Sequence, residues 1–153
     1  MRTTRSIAPW LVLLVALPAC RAHQSPDGSP TTDAGLHMPA EVADVTWQWV
    51  SVTTPHGLLT IDTPERYTIR FTAAGRLEVQ ADCNRGSTTY SVTEDRRLTL
   101  RAIALTRMMC PPGSLSDRFA RDVGRAASYF LRDGDLYLDL PVDSGTLRFR
   151  RQT

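Results

Sequence analysis

The stretch from Gly75 to Gly86 constrains this chain more than any other. Leu77, Val79 and Ala81 alternate with polar residues behind an opening glycine, and the run closes on Cys83 followed by Asn84-Arg85-Gly86. Alternation of this kind is the period of a half-buried strand, and Asn-x-Gly reads as a turn. The strand therefore ends at a fixed point. The only other cysteine in the folded part of the chain is Cys110, which follows Thr106-Arg107-Met108-Met109. We expect Cys83 and Cys110 to be joined, so that whatever folds here folds around that staple.

A third cysteine, Cys20, belongs to a different kind of segment. Arg2 and Arg5 form a short positive region, Trp10 to Leu17 is an uninterrupted apolar run, and Leu17-Pro18-Ala19-Cys20 ends it. Such a run is too short to span a bilayer and has the order of a secretory signal. Its ending is similar to the lipobox of bacterial lipoproteins, in which the cysteine is acylated and becomes the new N-terminus. Residues 1–20 are thus expected to be a signal peptide, with Cys20 as the lipidation site and a lipid anchor as the link to the membrane. An unpaired thiol is otherwise disfavoured in an exported protein. Arg21 follows the cysteine where an aspartate favours inner-membrane retention in the lipoproteins it resembles, so the expected address is the outer membrane, facing the periplasm. An oxidising periplasm would also close the remaining cysteine pair.

Removing the signal takes the 18 basic residues to 16, against 16 acidic ones. The near-neutral remainder has no basic stripe and argues against nucleic acid as a partner. Residues 21–41 are rich in Ser, Pro, Thr, Asp and Gly, too poor in large apolar groups to offset the entropy of ordering them, and read as a flexible tether. His23 and His37 lie in it and read as solvated; two isolated histidines are not a His/Cys cluster, and no metal or cofactor is expected.

Residues 42–153 read as one domain, long enough for a single core. In Val45 to Val52, Trp47 and Trp49 fall on one face and should dominate the packing at that end. Leu58, Leu59 and Ile61 suggest a short edge strand. Tyr67 to Phe71 alternates, Ala73-Ala74-Gly75 turns the chain into the Leu77 strand, and after Asn84-Arg85-Gly86 come strands with Tyr90 and Val92 inward and then Leu98 to Ala102. This is an antiparallel meander with Arg70, Glu78 and Arg101 outside. Beyond Cys110-Pro111-Pro112-Gly113 the period changes to 3.6: Phe119, Val123, Ala126, Ala127 and Phe130 line one helical face, Ser114 or Ser116 can cap it, and the helix should end near Arg132-Asp133-Gly134. Leu136 to Leu140 and Thr146 to Arg150 close the chain as strands.

In this order the motifs resemble the META/HslJ family of bacterial envelope proteins: Trp47-x-Trp49, Cys83-Asn84 after a Gly-Arg strand, Tyr90, Thr106-Arg107-Met108-Met109-Cys110 and Phe119. The resemblance runs from Trp47 to Phe149. It implies a mainly β, α+β fold, a small antiparallel barrel or roll with one α-helix packed across it, often exported as a lipoprotein. It also implies a link to stress and to novobiocin resistance, with no established reaction. Asp82 stands where family members often carry glycine, and Met109 where a small residue is common.

No Gly-x-Ser-x-Gly, His-Glu-x-x-His or Cys-x-x-Cys occurs, and His56 sits in a turn away from any matching serine motif. We therefore expect no catalytic residues and no enzyme. The wide spacing of Cys83 and Cys110 favours a structural bridge over a thiol redox pair. The expected role is that of a monomeric, non-enzymatic envelope lipoprotein acting through structural or protein interaction. The alternative is a carrier of lipid or another small hydrophobic ligand in a cracked barrel, beneath the helix.

Overall fold

The computed structural model describes residues 37–153. Ten strands and one α-helix follow in order: β1 Trp47–Thr54, β2 Gly57–Thr60, β3 Tyr67–Phe71, β4 Arg76–Ala81, β5 Asn84–Val92, β6 Leu98–Leu100, β7 Ala104–Leu105, α1 Ser116–Gly124, β8 Ser128–Arg132, β9 Asp135–Asp139 and β10 Thr146–Arg151. All pairings are antiparallel, in the order β6-β5-β4-β3-β1-β10-β9-β8, with β2 beside β1 and β7 beside β5. The two ends of this path meet. A single bridge, Arg97 to Ser128, joins them, backed by Leu98 N–H donating to Ala127 O (2.8 Å) and Tyr129 N–H donating to Arg96 O (3.2 Å). The sheet is thus a nearly closed barrel with one thinly stitched seam, as the mainly β expectation required.

The interior is filled by side chains. β1 pairs Trp49 with Phe149 but Ser51 with Arg148, so the strand carries a bulge that re-phases it. Trp47, Trp49 and Val52 consequently all point inward and are fully buried. At one pole α1 lies across the opening and inserts Phe119, stacked on Trp49 at 5.1 Å and edge-on to Tyr67 at 5.6 Å. At the other pole the chain before β1 closes the barrel: Val42 and Met38 are buried, Trp47 Nε1 donates to Val42 O (3.1 Å), and Tyr90 packs edge-on against Phe71 at 5.0 Å. Aromatic pairs of this geometry add to the free energy of area burial.

Four expectations need correction. The helix stops at Gly124, and Phe130 lies on β8, paired with Tyr137 of β9; Ala126, Ala127 and Phe130 mimic a helical spacing over a stretch whose last strand is too short to reveal its own period. Neither serine is the N-cap residue, which is Leu115, whose N–H donates to the Tyr67 hydroxyl (2.9 Å); Ser114 lies one position earlier, and its Oγ accepts from the Ser116 N–H at 3.2 Å. The turn after β4 is Asp82-Cys83, not Asn84-Arg85-Gly86: Ala81 pairs with Asn84, and β5 begins there. Gly86 is instead the place where β7 crosses, because a Cβ there would lie 2.1 Å from Ala104 O. Finally, packing begins before Val42, because Met38, read as tether, belongs to the core.

Candidate functional site

Cys83 and Cys110 are joined, with Cα atoms 5.5 Å apart and 27 residues between them in sequence. The bridge sits at the α1 pole. It holds the loop between β7 and α1 against the β4-β5 turn. Asp82 makes that turn possible: its φ is +59°, while Cys83 has a negative φ. A positive φ at only the first of two loop residues is the type II′ pattern, which prefers glycine there, so Asp82 holds a backbone conformation that suits glycine better. Its carboxylate is nearly buried and is held by Arg66, whose Nε donates to Oδ1 at 2.8 Å.

Beside the bridge, Asn84 is buried and saturated with partners. Its Oδ1 accepts from Met108 N–H (2.7 Å) and from the Thr106 hydroxyl (3.0 Å). Its Nδ2 lies within donating distance of Met108 O and Ser116 Oγ, both at 3.2 Å. Thr106 Oγ1 in turn accepts from Arg85 N–H at 3.0 Å. One buried amide thus ties β5, the loop and the first turn of α1 together. A fully satisfied buried polar network fixes one geometry, since any other leaves desolvated groups unpaired.

What this scaffold displays is apolar. Met109 is 98% exposed and Met108 63% exposed, flanked by exposed Arg107 and Pro111. Exposed large apolar groups on a rigid support mark contact surfaces more often than scattered ones do. Methionine, flexible and polarisable, suits such surfaces. Sequence reasoning placed the bridged pair Cys83 and Cys110 correctly and missed both Asn84 and the methionine tip: an Asn after a cysteine looks the same whether it turns the chain or is buried as a hub, because its amide serves both.

Cys20 and His23 lie outside the described residues. His37 is exposed at the opposite pole, edge-on to Tyr90 at 6.3 Å, and His56 is exposed in the β1-β2 turn. Among the described residues no group of three or more His, Cys, Asp and Glu side chains could hold a metal, and no helix is long and apolar enough to cross a membrane.

Two solved structures share the fold. An NMR structure of a protein from Burkholderia xenovorans superposes with a TM-score of 0.59 at 19% identity, covering 85% of this chain and 98% of that one. A crystal structure of a DUF4847 family protein from Bacteroides vulgatus gives a TM-score of 0.54 at 17% identity, covering 73% of this chain and 96% of that one. No curated protein matches. The META domain description matches residues 40–153, a span that takes in the aromatic plug, the Asn84 hub and both bridged cysteines. With that span matched from the pole closed by the N-terminal segment to the last strand, the chain belongs to the META domain family.

Proposed function

We propose that the protein is a non-enzymatic, lipid-anchored envelope protein that works by presenting the Met108-Met109 tip to another envelope protein. The setting is the stress response and novobiocin resistance that the META/HslJ resemblance implies. The observation that carries this reading is the contrast between inside and outside. Phe119, Trp49, Tyr67 and Phe149 occupy the space beneath α1 where a carried hydrophobe would lie, whereas Met109 is held in solvent by a disulfide and a buried amide. Polarity supports it too. The chain enters the barrel near His37 and Gly75, at the end of β4 remote from Cys83, so the tip lies at the pole opposite this entry.

Complementation tests the reading. In cells lacking the gene, the wild-type protein should restore novobiocin tolerance. The Met108→Asp, Met109→Asp double variant should fail to restore it while keeping the wild-type melting temperature. Full tolerance from that variant would overturn the role of the tip. Fractionation addresses the anchor separately: Cys20→Ser should leave the membrane fraction, and wild-type protein found wholly in the soluble periplasm would refute lipidation.

A further inference from the structure

The seam of the barrel carries a second surface, independent of the methionine tip. β8 and β9 are joined by the two-residue loop Asp133-Gly134, with Arg132 opposite Asp135, Phe130 opposite Tyr137 and Ser128 opposite Asp139. In a hairpin with a two-residue loop the pair flanking the loop is hydrogen-bonded, and bonded pairs then alternate along the strands. The N–H and C=O groups of Phe130 therefore face β9, and those of Tyr129 and Leu131 face the seam. The Tyr129 N–H does bond across the seam, to Arg96 O at 3.2 Å. There the stitching ends. The Leu131 N–H and C=O have no hydrogen-bond partner among the described residues, and Leu131 is 37% exposed.

This free edge borders a groove of about 520 Å³, walled on one side by Tyr129 to Leu131, on the other by Val92 to Glu94, and closed by His37 and Pro39. The floor is apolar, since Val92 and Tyr129 are buried core residues. The rim carries the carboxylates of Glu41 and Glu94 against the single guanidinium of Arg96, and neither carboxylate forms an ion pair among the described residues. Unpaired strand edges template the addition of another strand, with main-chain bonds supplying affinity and alternate side chains entering pockets.

We infer that the edge of β8 beyond the Tyr129 seam bond, at Leu131, binds an extended segment of another protein as an added strand. The segment's inward side chains are apolar and meet Val92 and Leu131, and a cationic residue faces Glu41 and Glu94. The added strand continues the ladder that the Arg97 to Ser128 bridge begins, so the partner completes the barrel wall where the chain's own strands run out.

The capped heptapeptide Lys-Thr-Val-Thr-Val-Thr-Lys is the probe, together with two isomers in which the backbone amides of one edge or the other are N-methylated. Millimolar parent peptide should slow exchange of the Leu131 amide at least tenfold and shift the amide signals of Val92 to Arg96. One methylated isomer should retain this effect and the other lose it, because an added strand pairs through one edge only. Leu131→Pro removes the seam-facing N–H without touching the bonds to β9, a substitution tolerated at strand edges, and should weaken binding at least tenfold. If that variant misfolds, the isomer pair on the wild-type protein decides alone. Equal binding by both methylated isomers, or an unchanged Leu131 amide with the parent peptide, would overturn the inference.

Discussion

Asp82 shows how one residue can satisfy two demands. Its backbone adopts a conformation that glycine adopts without cost, and its side chain secures Arg66 in return. Asp82→Ala removes the ion pair and keeps the unfavourable φ, whereas Asp82→Gly removes the pair and relaxes the backbone. The alanine variant should therefore be the less stable of the two by about 1 kcal/mol, read from urea midpoints; equal midpoints would mean that the turn is unstrained. At the opposite pole, burial pushes the Tyr90 phenol up from its ordinary value, against the opposing effect of the Met38 N–H that it accepts. Burial pushes Tyr129 in the same direction. A phenol with a raised folded value contributes stability that is fully present below the unfolded value and is lost as pH rises through the folded one. Denaturant midpoints should fall once pH passes about 10, and Tyr90→Phe should reduce that fall without abolishing it, because Tyr129 remains.

Among the elements, α1 offers the cleanest contrast between faces. Phe119 is fully buried among Trp49, Tyr67 and Phe149, so Phe119→Ala should cost about 3–5 kcal/mol. Arg121 is exposed, with Asp122 as its only ion-pair partner among the described residues at 3.7 Å, and Arg121→Ala should change stability by no more than about 0.5 kcal/mol. Equal losses in chemical denaturation would contradict the packing described. The strands of the meander were legible because each buries one face, which writes a period of two into Ile69, Leu77 and Tyr90 alike. The end of α1 was not legible. Ser128 to Arg132 is short, Phe130 is half-covered on the outer face by its stack on Tyr137 at 4.7 Å, and an outward aromatic breaks the inference from apolar to inward. The bulge in β1 was equally hidden, because it is imposed by the need to pair β1 with β2, β3 and β10 at once. Of the candidate site, the bridge was legible from the cysteine count. The tip was not, since two methionines in a row look like core until the disulfide and Asn84 hold them out.

For the molecule as a whole, the bridge closes a 27-residue separation, which in the chain-entropy model stabilises by about 3.5 kcal/mol. Domains of this kind have total stabilities on the order of 5–15 kcal/mol. The Cys83→Ala, Cys110→Ala variant should therefore unfold at a clearly lower denaturant concentration, and the wild-type protein should match it only when reduced. A second property follows from the pairing of the first strand with the last, Trp47 opposite Arg151. Every chain that stops before Thr146 leaves β1 and β9 without their common neighbour, so no chain lacking β10 can close into a barrel. A chain ending at Val142 should be cleaved by protease as rapidly as denatured protein, while the whole chain resists; a resistant core in the truncated form would show that the meander stands alone. If the proposed export holds, this pairing would act as a timer, keeping the chain unfolded and threadable until β10 has been made.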